Sequence, residues 1–177
     1  MNLNKIVAGD NIPHDIYVII EISSNSSPIK YEMDKQSGML FVDRFISTPM
    51  FYPCNYGYIN QTLSLDGDAL DVLVPSYYPI QSNSVIHCKP IGILNMHDEA
   101  GDDAKIIAVP NSKICKEYEN INDISDISEL LKNQISHFFQ HYKKLETKKW
   151  VEIIGWGNHL DAKKEISTAY NRSKKHE

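Results

Sequence analysis

No stretch of this 177-residue chain approaches 18 consecutive apolar residues, so a membrane-crossing helix is not expected. The opening residues MNLNKIVAGDNIPHD also lack an apolar segment behind a basic start, and the chain reads as neither secreted nor membrane-spanning. Cysteine is scarce. Cys54, Cys88 and Cys115 are odd in number, far apart and without a Cys-x-x-Cys pair, which argues against a disulfide framework or a zinc knuckle and makes a reducing cytoplasm the expected compartment. Positive charge is outnumbered, 18 Lys and Arg against 23 Asp and Glu, and the net −5 argues against a nucleic-acid partner, which would want a basic face. Internal repeats and linker-like stretches longer than a loop are missing too. Residues 1–177 are therefore expected to form a single domain, long enough to bury a core without staples.

What is present is ordinary in bulk, 42% hydrophobic and 23% charged, and informative in its pattern. The β-branched run IYVIIEI at 16–22 predicts a strand with Glu21 on the face opposite Val18, Ile20 and Ile22. IKYEMD alternates, placing Ile29, Tyr31 and Met33 on one face and Lys30, Glu32 and Asp34 on the other. The turn KQSG then leads into MLFVDRF, which predicts a hairpin whose second strand carries Asp43 and Arg44. Further strands are expected at YGYINQTL, LDVLVP, SVIHCKPIGILNM, AKIIAVP and WVEIIGW. So many short strands at close spacing suggest a barrel or sandwich. Helical spacing of Leu130, Leu131, Ile135, Phe138, Phe139, Tyr142 and Leu145 predicts a helix over 128–145 with Ser128 as its N-cap, and a second helix is expected over about 160–172.

The stretch SLDGDALDVLV sets Asp66, Asp68 and Asp71 within six residues at the mouth of an apolar strand. A lone Asp-Gly-Asp is usually a solvated turn. Like charges this close repel unless a cation sits among them, and carboxylate oxygens are what magnesium or calcium takes. An EF-hand is rejected, because positions 6 and 12 of its loop would be Asp71 and Tyr77 instead of Gly and Glu. A haloacid-dehalogenase-type phosphatase also uses an Asp-x-Asp pair after a strand, but needs repeated β-α units that this strand-dense half lacks. A second acidic knot, MHDEAGDDAK, holds Asp98, Glu99, Asp102 and Asp103 around an Ala-Gly turn. Lys30, Arg44, Lys105 and Lys143, with the phenols of Tyr56 and Tyr142, are types suited to phosphoryl oxygens, since Arg offers a bidentate fork and Lys a point charge. Carboxylates for cations beside cations for phosphate point to phosphoryl chemistry.

Taken together, DGDALDV, IKYEMDKQSGMLFVDRF, MFYPCNYGYI, DEAGDDAK and HFFQHYK resemble the family I soluble inorganic pyrophosphatases of the short bacterial form, over nearly the whole chain. The resemblance implies a mainly β (α+β) fold, a five-stranded OB-like β-barrel with flanking helices, without nucleic-acid binding. It implies hydrolysis of inorganic pyrophosphate to two orthophosphates, with several Mg2+ ions per site and no covalent intermediate. Matched motif by motif, Asp66, Asp71 and Asp103 would hold a metal pair, Asp98 with Asp103 a substrate-associated magnesium, and Glu21 would act through coordinated water. Asp68 matches the general base. Lys30, Arg44, Tyr56, Tyr142 and Lys143 match phosphate-holding positions, Lys105 and Glu32 line the same cavity, and Tyr52, Asp43, Glu99 and Asp102 match supporting positions. Ala69 departs from the Pro or Glu usual in the family motif, which loosens the turn without removing a ligand.

Cys54 within FYPCNYGY is expected to be a packed thiol, and the two tryptophans to be packing residues. His137 and His141 stand at i and i+4 on the first helix, where the bacterial relatives, which are hexamers, place subunit contacts. A homohexamer is therefore expected, with acid-sensitive assembly because histidines gain charge on mild acidification. Another phosphohydrolase on the same ligands and a noncatalytic OB-type binding module are the competing readings; a binding module would not need Asp68 or two acidic knots.

Overall fold

The β-branched run forms β1 (Ile16–Ile22), and the alternating segment and its partner form the hairpin β2 (Ile29–Asp34) and β3 (Met39–Phe45). β4 (Asn55–Ile59), β5 (Leu70–Val74), β6 (Val85–Asp98) and β7 (Gly101–Pro110) follow. After them come α1 (Glu129–His141), β8 (Val151–Gly157) and α2 (His159–Lys174). This computed structural model describes residues 5–175. Among them no helix is long and apolar enough to cross a membrane.

The main sheet runs β1-β4-β5-β7-β6-β8, and β1 pairs again with β6, so β1, β4, β5, β7 and β6 close into a five-stranded ring. The fold is the mainly β, OB-like barrel with two helices. Closure depends on the length of β6, whose 14 residues are shared between two neighbours on one edge. Its first residues pair with β1 (Ile16 opposite Cys88), and its last with β8 (Ile93 opposite Gly157). A bulge between Pro90 and Gly92 marks the change of partner, a place where a residue without an N–H fits a strand.

Alternation along the barrel strands separates two cores. Leu70, Val72 and Val74 of β5, with Ile106 and Ala108 of β7, pack with Ala162, Ile166 and Ala169 of α2. Leu73, Ile107 and Val109 face the other way, with Tyr52, Tyr56 and the α1 residues Ile135, Phe138 and Phe139. Strand period therefore puts Asp71 and Lys105, flanking residues of the first core, on the face shared with α1. At Gly57 the strands come so close that a Cβ would lie 1.9 Å from the Ile19 carbonyl oxygen.

Three expectations change. The fourth strand stops at Ile59 instead of continuing to 63, because Gln61 takes φ 57° and the Thr62 hydroxyl donates to the Ile59 carbonyl and accepts from the Leu70 N–H. The first helix stops at His141 instead of 145; Leu130 and Leu145, which extended the apolar period, are exposed. A bulge between Ile20 and Ile22 moves Ile22 to the α1 side, so it does not share a face with Val18 and Ile20.

Candidate active site

Asp71 and Lys105 are direct neighbours in the parallel pairing of β5 with β7. Side chains on opposed residues share a face, and the Lys105 ammonium lies 2.5 Å from Asp71 Oδ2 and 2.8 Å from Asp103 Oδ1. Lys105 is only 5% exposed. Burial works against its charge, but Asp71 and Asp103 outweigh it and raise the ammonium well above the ordinary lysine value. The next aspartate pair is held differently. Ser64 to Asp68 form a tight turn, in which the Ser64 N–H donates to the Asp68 carbonyl and the Asp68 N–H to Asp66 Oδ1, at 2.7 and 3.0 Å. Gly67 takes φ 92°, a conformation that turns the loop and favours glycine.

These groups border a cavity of about 230 Å3, together with Glu21, Lys30, Glu32, Arg44, Tyr56, Asp98, Tyr142 and Lys143. Seven carboxyl groups and six cationic side chains line it in all. The balance is kept by pairing across elements. Lys143 lies 2.7 Å from Asp98 Oδ2 and 3.3 Å from Glu99 Oε1; Arg44 lies 2.6 Å from Asp43 Oδ2 and 3.2 Å from Glu146 Oε1. Lys30 pairs with Glu32 and, at 3.5 Å, with Asp43. Lys143 reaches the cavity because α1 ends at His141, capped by Tyr142, and the chain continues in turns, with the Lys144 N–H bonded to the His141 carbonyl and the Glu146 N–H to that of Lys143.

Of the residues singled out in the sequence, thirteen line this cavity: Glu21, Lys30, Glu32, Arg44, Tyr56, Asp66, Asp68, Asp71, Asp98, Asp103, Lys105, Tyr142 and Lys143. Four do not. Tyr52 is buried behind, its ring 4.9 Å from that of Tyr56. Asp43 and Glu99 hold Arg44 and Lys143 from outside the wall. Asp102 turns away to His97, at 2.5 Å, and lines a second cavity beside β8 that adjoins the first at Asp66 and Asp103. Lys35, Tyr58 and Lys149 also line the site and Glu146 bridges Arg44 to Lys149, none of which the motif reading named. Glu146 and Lys149 lie in the turns after α1, beyond the residues of any motif read in the sequence, and Lys35 lies in the β2–β3 turn.

Titration preferences follow from the surroundings. Burial pushes the Glu21 carboxyl up to about 8, against the Met33 N–H that donates to it at 2.7 Å and with the help of Asp71. Burial and then Asp66 push Asp68 up, which makes it a better proton acceptor than an exposed carboxylate. Burial likewise raises the Tyr142 phenol, while Lys143, Lys105, Lys30 and Arg44 pull against it. Cys54 is 2% exposed and its thiol is pushed up to about 12 by burial, so it is a packing group and not a nucleophile.

The donor set fits a hard divalent cation. Among the described residues no three carboxylates converge on one point, because ammonium groups already stand between them, Lys105 between Asp71 and Asp103 and Lys143 between Asp98 and Glu99. Oxygen-only donors in excess of the cations suit hard cations of the magnesium and calcium type over zinc or copper, which take imidazole and thiolate readily.

Comparison with known proteins agrees with this geometry. The family model described as inorganic pyrophosphatase matches residues 18–174. The chain is 84% identical to the inorganic pyrophosphatase of Buchnera aphidicola subsp. Acyrthosiphon pisum (strain APS), covering 99% of this chain and 96% of that one. It is 62% identical to the inorganic pyrophosphatase of Escherichia coli (strain K12), covering 98% and 99%. The crystal structure of the Thermus thermophilus inorganic pyrophosphatase superposes with a TM-score of 0.92 at 39% identity, over 98% of this chain and 99% of that one. With its motifs, its ring of five strands and this cavity, the chain belongs to the inorganic pyrophosphatases, in the short bacterial branch of family I.

Proposed function

We propose a division of labour within the cavity for the reaction of the family, hydrolysis of inorganic pyrophosphate to two orthophosphates. The chain is an inorganic diphosphatase, and its family is metal-dependent. In our reading the metal is magnesium, several ions per site, held by Asp66, Asp71, Asp98 and Asp103, with Glu21 acting through water. Bound magnesium supplies Lewis acidity, neutralises phosphoryl oxygens and makes water easier to deprotonate. Asp68, on the same tight turn as Asp66 and lining the cavity beside Asp71, accepts the proton from the attacking water, which meets one phosphorus in line with the leaving phosphate.

Lys30, Arg44, Tyr56, Tyr142 and Lys143 orient the two phosphates and stabilise the charge that moves to the leaving group. Glu32, Asp43 and Glu99 are assigned supporting roles, Asp43 and Glu99 by holding Arg44 and Lys143, whereas Asp102, paired with His97 outside the cavity, is assigned none. Tyr52 supports Tyr56 from behind. Lys105 keeps Asp71 and Asp103 close together despite their like charge. The volume also supports a small substrate, being below the roughly 300–1,000 Å3 of sites that take drug-sized molecules.

The reading rests on one observation above all: the three-aspartate turn, the β6–β7 acidic hairpin and the phosphate-suited cations open onto a single small cavity. We further propose one domain, a cytoplasmic setting in which it keeps biosynthetic pyrophosphate low, no nucleic-acid or membrane partner, and a homohexamer. Three free cysteines support the setting. An apolar groove bordered by Met50, Phe51, Pro53 and His137 supports contact between copies along α1. The test is phosphate release by the purified protein from pyrophosphate and from an aryl phosphate, in magnesium and in excess EDTA. Magnesium-dependent release confined to pyrophosphate is expected; comparable turnover of the aryl phosphate would favour a general phosphohydrolase, and no release from pyrophosphate would refute the reading.

A further inference from the structure

Every cation that lines the cavity is already committed to a carboxylate, with one exception. Lys30, Arg44, Lys105, Lys143 and Lys149 each lie within ion-pair distance of Asp or Glu, whereas Lys35 has no carboxylate within 4 Å among the described residues. Its ammonium instead stands 6.0 Å from the centre of the Tyr58 ring, at the outer limit of a cation–π contact. The backbone beneath it is fixed. Asp34 accepts from the Ser37 N–H at 2.8 Å, the Gly38 N–H donates to the Asp34 carbonyl at 2.8 Å, and Gly38 takes φ 69° to close the β2–β3 turn.

An anion entering this cavity meets Lys30, Arg44 and Lys149, whose partners Glu32, Asp43 and Glu146 are not among the proposed metal ligands, and each pair must first loosen, at the cost of part of the new interaction. Lys35 needs no exchange. It is exposed at the hairpin tip, on the rim of the cavity that Asp68 also lines, and near enough to Asp68 to act on its charge. We infer that Lys35 is a further pyrophosphate-binding residue, the uncommitted cation that captures the incoming phosphate on the Asp68 side of the cavity before the paired cations close on it. A rim charge of this kind governs capture and its salt dependence more than the chemical step.

The inference rests on the reading of the cavity as a pyrophosphate site, and the experiment separates the two. Steady-state kinetics on pyrophosphate at saturating magnesium are compared for the wild type, Lys35→Gln and Lys35→Arg across a range of ionic strength. Lys35→Gln should raise KM about three- to tenfold with kcat within about twofold, flatten the fall of kcat/KM with salt, and be largely rescued by Lys35→Arg. An active wild type with an unchanged KM in Lys35→Gln overturns the inference alone. So does a change confined to the pH profile of kcat, which would mean that Lys35 acts only on Asp68. A wild type inactive on pyrophosphate overturns both readings.

Discussion

Lys105 stands between Asp71 and Asp103 at 2.5 and 2.8 Å, so at the scale of single residues the cavity is a set of like charges kept together by counter-charges. Removing one partner of a buried pair leaves the other uncompensated, at a cost of about 3–5 kcal/mol. Lys105→Met is therefore expected to lower stability by that order in EDTA and to recover part of it in magnesium, measured by thermal unfolding in both conditions. Equal destabilisation with and without the ion would mean that the aspartates are not where it binds. Asp71→Asn is expected to weaken magnesium binding, with turnover partly restored by raising its concentration. Calorimetry showing wild-type affinity would remove Asp71 from the ligand set.

At the scale of elements, function depends on register and on where helices stop. Gly57 cannot carry a side chain, because its Cβ would meet the Ile19 carbonyl oxygen at 1.9 Å where β4 lies against β1. Gly57→Ala should cost more than about 2 kcal/mol of unfolding free energy and disturb Tyr56 beside it, readable by denaturant titration. At the start of α2 the Asn158 side chain accepts from the Leu160 and Asp161 N–H groups while Asp161 Oδ2 accepts from the Asn158 N–H. Asn158→Ala should cost about 1 kcal/mol, with activity unchanged since the cap is remote from the cavity. The strands and both helices were legible because their periods of 2 and 3.6 survive in the sequence. The stop at His141 was not: Tyr142 and Leu145 continue the apolar spacing, and only the turn that aims Lys143 inward interrupts it. Asp102 shows the complementary failure. It sits one residue from Asp103, and strand alternation sends it to His97 on the opposite face, which an acidic count does not reveal.

For the molecule as a whole, a ring of five strands gathers distant motifs, Glu21 from β1, Asp71 from β5, Asp98 and Asp103 from the β6–β7 hairpin, into one cavity. The far side of the barrel is tied down separately. His159 at the first turn of α2 gives its N–H to Asp123 Oδ2 and sets its ring nitrogen 2.5 Å from the same oxygen. Burial pushes the Asp123 carboxyl up, but hydrogen bonds from His159 and Ser125 outweigh it and hold it down at about 2. Its folded value lies below its unfolded one, near 3.8, so the contribution is present above about pH 4 and is lost as pH falls towards about 2. Asp123→Asn should flatten the pH dependence of unfolding in that window; an unchanged acid profile would show that the pair adds nothing. Assembly is tested at the same scale by sedimentation at pH 5 and pH 8. A hexamer at the higher pH that loosens at the lower is expected, and a monomer at both would end the proposal of contacts through His137 and His141.

We propose that the carboxylates divide their work, Asp68 moving the proton while Asp66, Asp71, Asp98 and Asp103 hold the metal. The most direct test is a parallel measurement of turnover and magnesium affinity in Asp68→Asn. Turnover should fall by about 10²- to 10⁴-fold, the range for a lost general base, with magnesium affinity close to that of the wild type. An unchanged turnover, or a loss explained entirely by weaker metal binding and reversed by excess magnesium, would contradict it.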